Sequence, residues 1–524
     1  MIQTVTPADV RLALLTRREI ALIDLREEDP FAKAHPLFAA CLPLSRLEVE
    51  VLDRIPRQDT PIVLYDNGEG LIAPAAERLR KLGYCHLRAL EGGLQGWKAA
   101  GYELFQDVNS YSKAFGELVD ARRGTPSVSA EDLQALIDAK ADMVVLDARR
   151  FDEFQTMSIP TGVSVPGAEL VLRAPELAPD PKTTIVVNCA GRTRSIIGAQ
   201  SLINAGLPNP VAALRNGAIG WTLAGQSLDH GQSRRFPDGA PLSVHEARAR
   251  ARAVAERAGV RRLTPQDLAS LTKVRDRTLY RFDVRTPEDY AKGHIAGFRS
   301  APGGQLVQET DMFAPVRGAR IVLADDLGPR ADMTASWLAQ MGWDVYVLDG
   351  GFRNGLEVGG PRPTLPPLPA AEEISADDLA AELQRGGAVV VDLAASPQHR
   401  KGHIPGAWFA IRARLAEALP LLPADKPLIL TSPDGVLAQL AAEEVETIAD
   451  HPVRILAGGT AAWVAAGHAL ETGLTRAASE PEDIYRRPYE GADHAAAAKQ
   501  AYLDWEYGLV EQLARDGTHG FFVI

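Results

Sequence analysis

Residues 129–147 read SAEDLQALIDAKADMVVLD. Ser129 ahead of Glu131 and Asp132 is a helix N-cap signal. The apolar residues after it keep helical spacing, and the β-branched run MVVLD reads as a strand buried on both faces. The same opening recurs at Thr6-Pro7-Ala8-Asp9-Val10, Thr264-Pro265-Gln266-Asp267-Leu268 and Ser375-Ala376-Asp377-Asp378-Leu379. Each time a strand ending in aspartate follows, at Asp24, Asp147, Asp283 and Asp392, and later an apolar strand (PIVLYD, TIVVNC, RIVLAD, PLILTS) runs into a polar loop. Four copies of one alternating α/β unit are implied.

At 524 residues the chain exceeds one core, and the repeats divide it. The expected units are repeat 1 at 1–108, repeat 2 at 126–232, a linker helix at 233–260, repeat 3 at 261–366, repeat 4 at 371–474 and a helical tail at 475–524. Each unit is predicted to be doubly wound around a mostly parallel sheet, ending in a glycine turn before a helix. Those turns start at Gly92-Gly93, Asn216-Gly217, Gly350-Gly351-Phe352-Arg353-Asn354 and Gly458-Gly459. Trp97, Trp221 and Trp463 behind them are expected to fill core. Ser243 and Glu246 predict a capping box on an Arg/Ala-rich helix stopping at Gly259, which would space a front pair of repeats from a back pair. In the tail, HAAAAKQAYLDWEYGLVEQLARDG predicts a helix docking through Ala497, Tyr502, Trp505 and Leu509, in a structural role rather than as a lid.

The net charge of −12 argues against a nucleic-acid or anionic-membrane partner. No apolar run is long enough to span a bilayer, and the N-terminus lacks a signal-peptide pattern, so a cytoplasmic location is expected. Three cysteines make no disulfide scaffold, and no Cys/His cluster has metal-ligand spacing. No metal or cofactor is expected.

The polar loops begin with Asp66, Cys189, Asp325 and Ser432, so one copy carries a nucleophile. Around it the sequence reads Asn188-Cys189-Ala190-Gly191-Arg192-Thr193-Arg194-Ser195. A strand delivers Cys189 to the carboxyl edge of the sheet, where open α/β folds bind ligands. Loop amides and the following helix N-terminus form a positive cradle, to which Arg192 and Arg194 add charge; this favours a thiolate and an anionic substrate. Cys41 and Cys85 read as core residues.

With Asp147-Ala148-Arg149, the Cys189 loop and the Gly-x-x-x-Gly-Trp ending at Trp221, the chain resembles the rhodanese family of sulfurtransferases. It is most similar to four-repeat members whose second repeat keeps the cysteine. The resemblance implies that Cys189 takes a sulfane sulfur from a small donor, becomes a persulfide and passes the sulfur to a thiol or cyanide-like acceptor, with a protein acceptor possible. It assigns the persulfide cradle to Ala190, Gly191, Arg192, Thr193, Arg194 and Ser195, and donor contact to Arg149.

Two departures stand out. The family's Gly-His-Ile-Pro-Gly crossing survives around His294 and His403 but reads Met157-Ser158-Ile159-Pro160 in the copy with the cysteine, and repeat 4 lacks the arginine after Asp392. His294 and His403 are therefore expected to be structural. The Cys-x4-Arg loop is one residue shorter than that of the related phosphatases and arsenate reductases, and its arginines favour an anionic donor such as thiosulfate over mercaptopyruvate. A rhodanese-like binding or redox-sensor protein is the competing reading, and phosphatase or arsenate reductase chemistry a third.

Overall fold

The computed structural model describes residues 2–353, 355–449, 452–488 and 495–524. Asn354 of the third glycine turn and His494 at the head of the tail segment lie outside the described residues.

The caps form as the sequence demands. Thr6, Ser129, Thr264 and Ser375 each accept a hydrogen bond from the backbone N–H three residues on, at 3.1, 3.0, 3.2 and 3.2 Å. In repeat 2 the helix so started leads to the strand Met143–Asp147, an interior strand of a parallel sheet. Its strand order is Ser127–Val128, Val211–Leu214, Thr184–Asn188, Met143–Asp147, Val163–Ser164. Repeats 1, 3 and 4 build the same five-strand order, and helices cover both faces. The register sets Asp147 opposite Asn188, so the strand leading to Cys189 ends level with the aspartate that closes its neighbour strand, and Cys189 starts the loop beyond the sheet edge.

Repeats 1, 2 and 4 also share a buried tryptophan in the final turn. Trp97, Trp221 and Trp463 are buried, and each indole N–H donates to a backbone carbonyl six residues on. Repeat 3 departs from the expected pattern: no helix follows Gly351 among the described residues, and Leu356–Glu357 instead pairs antiparallel with His294–Ile295.

The linker helix Val244–Arg257 does not act as a spacer. It buries Ala247, Ala251, Val254 and Ala255, and lies against helix Pro329–Gln340 of repeat 3 and helix Leu170–Leu177 of repeat 2. Its capping box is absent: Ser243 has φ −82° and ψ 10°, outside the extended conformation that aims a cap side chain at the first turn, and its Oγ is buried without a partner.

The repeats are welded rather than strung. Val316–Arg317 of repeat 3 adds antiparallel to Ile20–Ala21, extending the sheet of repeat 1. Buried Glu169 of repeat 2 bonds Arg173 of its own repeat and Arg330 of repeat 3. Arg412 of repeat 4 forks onto Glu48 of repeat 1 at 2.9 and 3.0 Å. No helix among the described residues is long and apolar enough to cross a membrane.

Candidate active site

Cys189 leaves strand Thr184–Asn188 and the loop enters helix Thr193–Asn204. The turn Asn216-Gly217 supports the loop from below: Ala218 N–H donates to Cys189 O and Ile219 N–H to Ala190 O, both at 2.9 Å. Gly217 has φ +53°, and a Cβ there would lie 2.4 Å from Cys189 O, so glycine is required by both backbone and space.

Cys189 is 2 % exposed. Its Sγ donates to Ser195 Oγ at 3.4 Å, while Ser195 Oγ donates to Arg192 O at 2.8 Å. Burial pushes the thiol upward; Arg194 and the side-chain and backbone hydrogen bonds of Ser195 pull it down without cancelling the burial. The expected low thiol pKa is therefore corrected: in this closed loop the protonated form is favoured.

The two loop arginines part company. Arg194 pairs bidentately with Glu153 at 2.8 Å and stays beside the sulfur. Arg192 turns away from it, onto Glu117 at 2.7 and 2.8 Å, Asp120 at 2.9 Å and Tyr507 Oη at 2.9 Å. Its expected place beside the sulfur is corrected: four acceptors on other elements, the fourth being Asn216 Oδ1 at 3.2 Å, hold the guanidinium. Arg149, 1 % exposed, locks onto Asp147 and the carbonyl of Met157. Arg26 and Arg285 repeat that geometry in copies whose polar loop has no cysteine, so the Asp-x-Arg pair is a strut of the fold. Arg149 also lines the cavity at the Cys189 loop. In repeat 4 His399 takes the arginine's place, its Nδ1 2.7 Å from Asp392. His294 and His403 bond backbone carbonyls and stack on Tyr290 and His399.

A cavity of about 520 Å³ opens at this loop, walled by Ala190 and Arg194 of the loop, Arg149 and Glu153 of repeat 2, Phe31 and Cys41 of repeat 1, Gln308 and Met312 of repeat 3, and Arg487 of the tail. Sequence reasoning missed every wall residue outside repeat 2, because only tertiary packing brings them there.

The other loops are filled from within. Asp66 accepts N–H bonds from Gly68 and Leu71, and Asp325 from Leu327, Arg330 and, at 3.4 Å, Ala331. Each carboxylate takes for itself amides that a bound anion would use. Ser432 Oγ accepts from Ala438 N–H.

Cys41 is buried, as expected, but Cys85 is exposed and donates to Asp59 at 3.5 Å. Asp59, Cys85 and His86 bring ligand-type atoms within 4.8 Å of one another, a surface cluster that spacing along the sequence does not reveal.

The tail also departs from expectation. Helix Ala496–Tyr507 buries Lys499, Tyr502, Leu503 and Glu506, whereas Ala497 is exposed; a second helix, Leu509–Asp516, follows Gly508. Tyr502 and Glu506 lie against Gly191, where an added Cβ would meet them at 3.3 and 3.4 Å.

The sequence pattern of the rhodanese-like domain matches residues 7–100, 129–224, 264–357 and 375–466. The chain belongs to the rhodanese-like family. A crystal structure described as thiosulfate sulfurtransferase from Pseudomonas aeruginosa is similar over 100 % of both chains, with 60 % identity and a TM-score of 0.98. Among curated proteins, thiosulfate sulfurtransferase GlpE of Pseudomonas paraeruginosa is 36 % identical over 13 % of this chain and 63 % of its own length. An uncharacterized Synechocystis protein is 35 % identical over 20 % of this chain and 59 % of its own. The chain thus spans about three fifths of the length of these curated relatives.

Proposed function

We propose that this chain is a sulfurtransferase with one working site, which takes the sulfane sulfur of thiosulfate onto Cys189 and passes it to a thiol or to cyanide. The observation that carries the reading is the placement of Cys189 at the head of a strand-to-helix loop whose Ala190 and Arg194 wall the inter-repeat cavity, while the other three loops begin with oxygen side chains that bond their own amides. The full-length similarity to a thiosulfate sulfurtransferase supports the same donor.

In the first half-reaction the Cys189 thiolate attacks the outer sulfur of thiosulfate. The S–S bond of the donor breaks and sulfite leaves with its electron pair. The resulting persulfide anion lies among the amides of Ala190 to Ser195 at the start of a helix, and Arg194 supplies a cationic side chain on the cavity wall. In the second half-reaction an acceptor thiolate, or cyanide, attacks the outer persulfide sulfur and the Cys189 thiolate is released. Acceptor persulfide or thiocyanate leaves. Repeats 1 and 3 supply cavity walls and thereby shape access for the acceptor.

A redox-sensor role would leave oxygen on Cys189 instead of a sulfane sulfur, and the mass of the Cys189 peptide tells the two apart. The test is turnover with thiosulfate and cyanide, together with mass analysis of the Cys189 peptide after thiosulfate alone. A gain of one sulfur atom on that peptide is expected; turnover without it would overturn the single-site reading.

A further inference from the structure

The tail helix Ala496–Tyr507 brings an acidic side chain to the back of the Cys189 loop. Glu506 is 1 % exposed. Its Oε1 accepts the Tyr502 hydroxyl hydrogen bond at 2.8 Å, while its Oε2 is buried without a partner. That Oε2 lies 3.4 Å from where a Cβ on Gly191 would be, two residues beyond the nucleophile. A helix that served only as packing would be better filled by an apolar side chain here, because a buried polar atom left unpaired loses its hydration with nothing in return.

We propose that the C-terminal helix is part of the second repeat's site, and that Glu506 is a positioning residue that sets the ionisation of Cys189 by presenting a neutral or a negative carboxyl behind its loop. The groups facing Glu506 make this a finely balanced site. From helix Ser110–Arg123 come Lys113, whose Nζ bonds Asp107 at 2.9 Å and lies over the Tyr502 and Trp505 rings, and Glu117 and Asp120, both held by Arg192. From the loop come Cys189 and Arg192, whose guanidinium lies over the Tyr507 ring. Helix Gly217–Leu223, also against the tail, has no ionisable side chain. On its own helix Lys499 is turned to Thr222, leaving Tyr502 as the direct partner.

Burial and Glu117 push the Glu506 carboxyl up, Lys113, Tyr502 and Arg192 draw it down, and the balance lies at about 8. Its negative charge in turn raises the Cys189 thiol. At neutral pH the carboxyl is protonated and does not oppose a thiolate or an anion in the loop. As pH rises through 8 it ionises, and each further step toward the thiolate is resisted.

The decisive measurement is the pH dependence of Cys189 alkylation by iodoacetamide, followed on the Cys189 peptide in the full-length protein. It does not require turnover, so it stands or falls separately from the sulfurtransferase reading on which the consequence for catalysis rests. For the native protein the alkylation curve is expected to be broader than a one-proton titration. In Glu506→Gln, which keeps an acceptor for Tyr502, the curve is expected to narrow to one proton and move to lower pH, with alkylation about threefold faster at pH 8.5. Superimposable native and Glu506→Gln curves would overturn the proposal. Should that variant fail to fold, a native curve that fits one proton overturns it equally.

Discussion

At the residue scale, Cys189 and its immediate neighbours divide into groups that act on the sulfur and groups that hold the loop. Cys189→Ser is expected to abolish sulfur transfer, whereas Cys41→Ser and Cys85→Ser retain most of it, as measured by thiocyanate formation. Arg194 draws the thiol down and Arg192 is spent on Glu117, Asp120 and Tyr507. Removing Arg194 should therefore move Cys189 alkylation to higher pH and weaken thiosulfate use. Arg192→Met should instead lower the melting temperature, because it strands Glu117, with a smaller change in the alkylation curve. The reverse assignment of the two effects would show that Arg192 reaches the sulfur when donor binds. Asp66 and Asp325 explain why two cysteine-less loops keep their shape: the carboxylate accepts loop amides that otherwise would need an anion.

At the scale of the element, the glycine turn beneath the loop is as necessary as the loop itself. Gly217→Ala combines a positive φ with a contact of 2.4 Å to Cys189 O, so it is expected to cost about 1–3 kcal/mol and to displace the nucleophile. Chemical denaturation and turnover should both register it; unchanged turnover would show that the loop tolerates the shift. The helices Leu170–Leu177 and Thr193–Asn204 bury residues against repeat 3 and the linker helix, as at Trp337, whose indole donates to Ser201 at 2.8 Å. Substitutions in the cavity wall of the full chain, at Phe31 or Met312, therefore probe acceptor choice better than excision of 125–232, which would uncover those faces. Altered ratios among thiol acceptors with unchanged sulfur loading from thiosulfate is the expected outcome.

For the whole molecule, the welds between repeats carry buried charge. Arg330 is held by Glu169 from repeat 2 and by Asp325 and Asp326 of its own loop. Arg330→Met leaves Glu169 with Arg173 as its remaining partner and Asp325 without its cation, and about 3–5 kcal/mol of destabilisation is expected by urea unfolding. Stability should also fall as pH rises from about 4.5 to about 8. Burial pushes Glu27 to about 7 and Glu506 to about 8, above the ordinary carboxylate value that applies once the chain unfolds. Between roughly pH 4.5 and pH 8 the folded state keeps protons that the unfolded state has lost, so stability declines as pH rises through that window. Melting temperature measured from pH 5 to pH 9 should drop, and Glu506→Gln should flatten part of the decline.

The repeat number, the strand-to-aspartate pattern, the N-caps at Thr6, Ser129, Thr264 and Ser375 and the single nucleophile-bearing loop were all legible in the residues, because hydrophobic period, capping and glycine turns act over a few neighbouring positions. What the chain alone left undecided was where each charge goes once the repeats meet. Arg192 and Arg194 are equivalent on paper, yet Glu117 and Asp120 capture one and Glu153 the other. Ser243 looked like a cap and is not, since packing of the linker helix sets its backbone. Lys499 and Glu506 carried no signal in the sequence, yet Lys499 is buried against Thr222 and Glu506 against Gly191 of the Cys189 loop. Pairing energies of this kind depend on which surfaces are brought within a few ångströms and dried, and only the tertiary structure decides that.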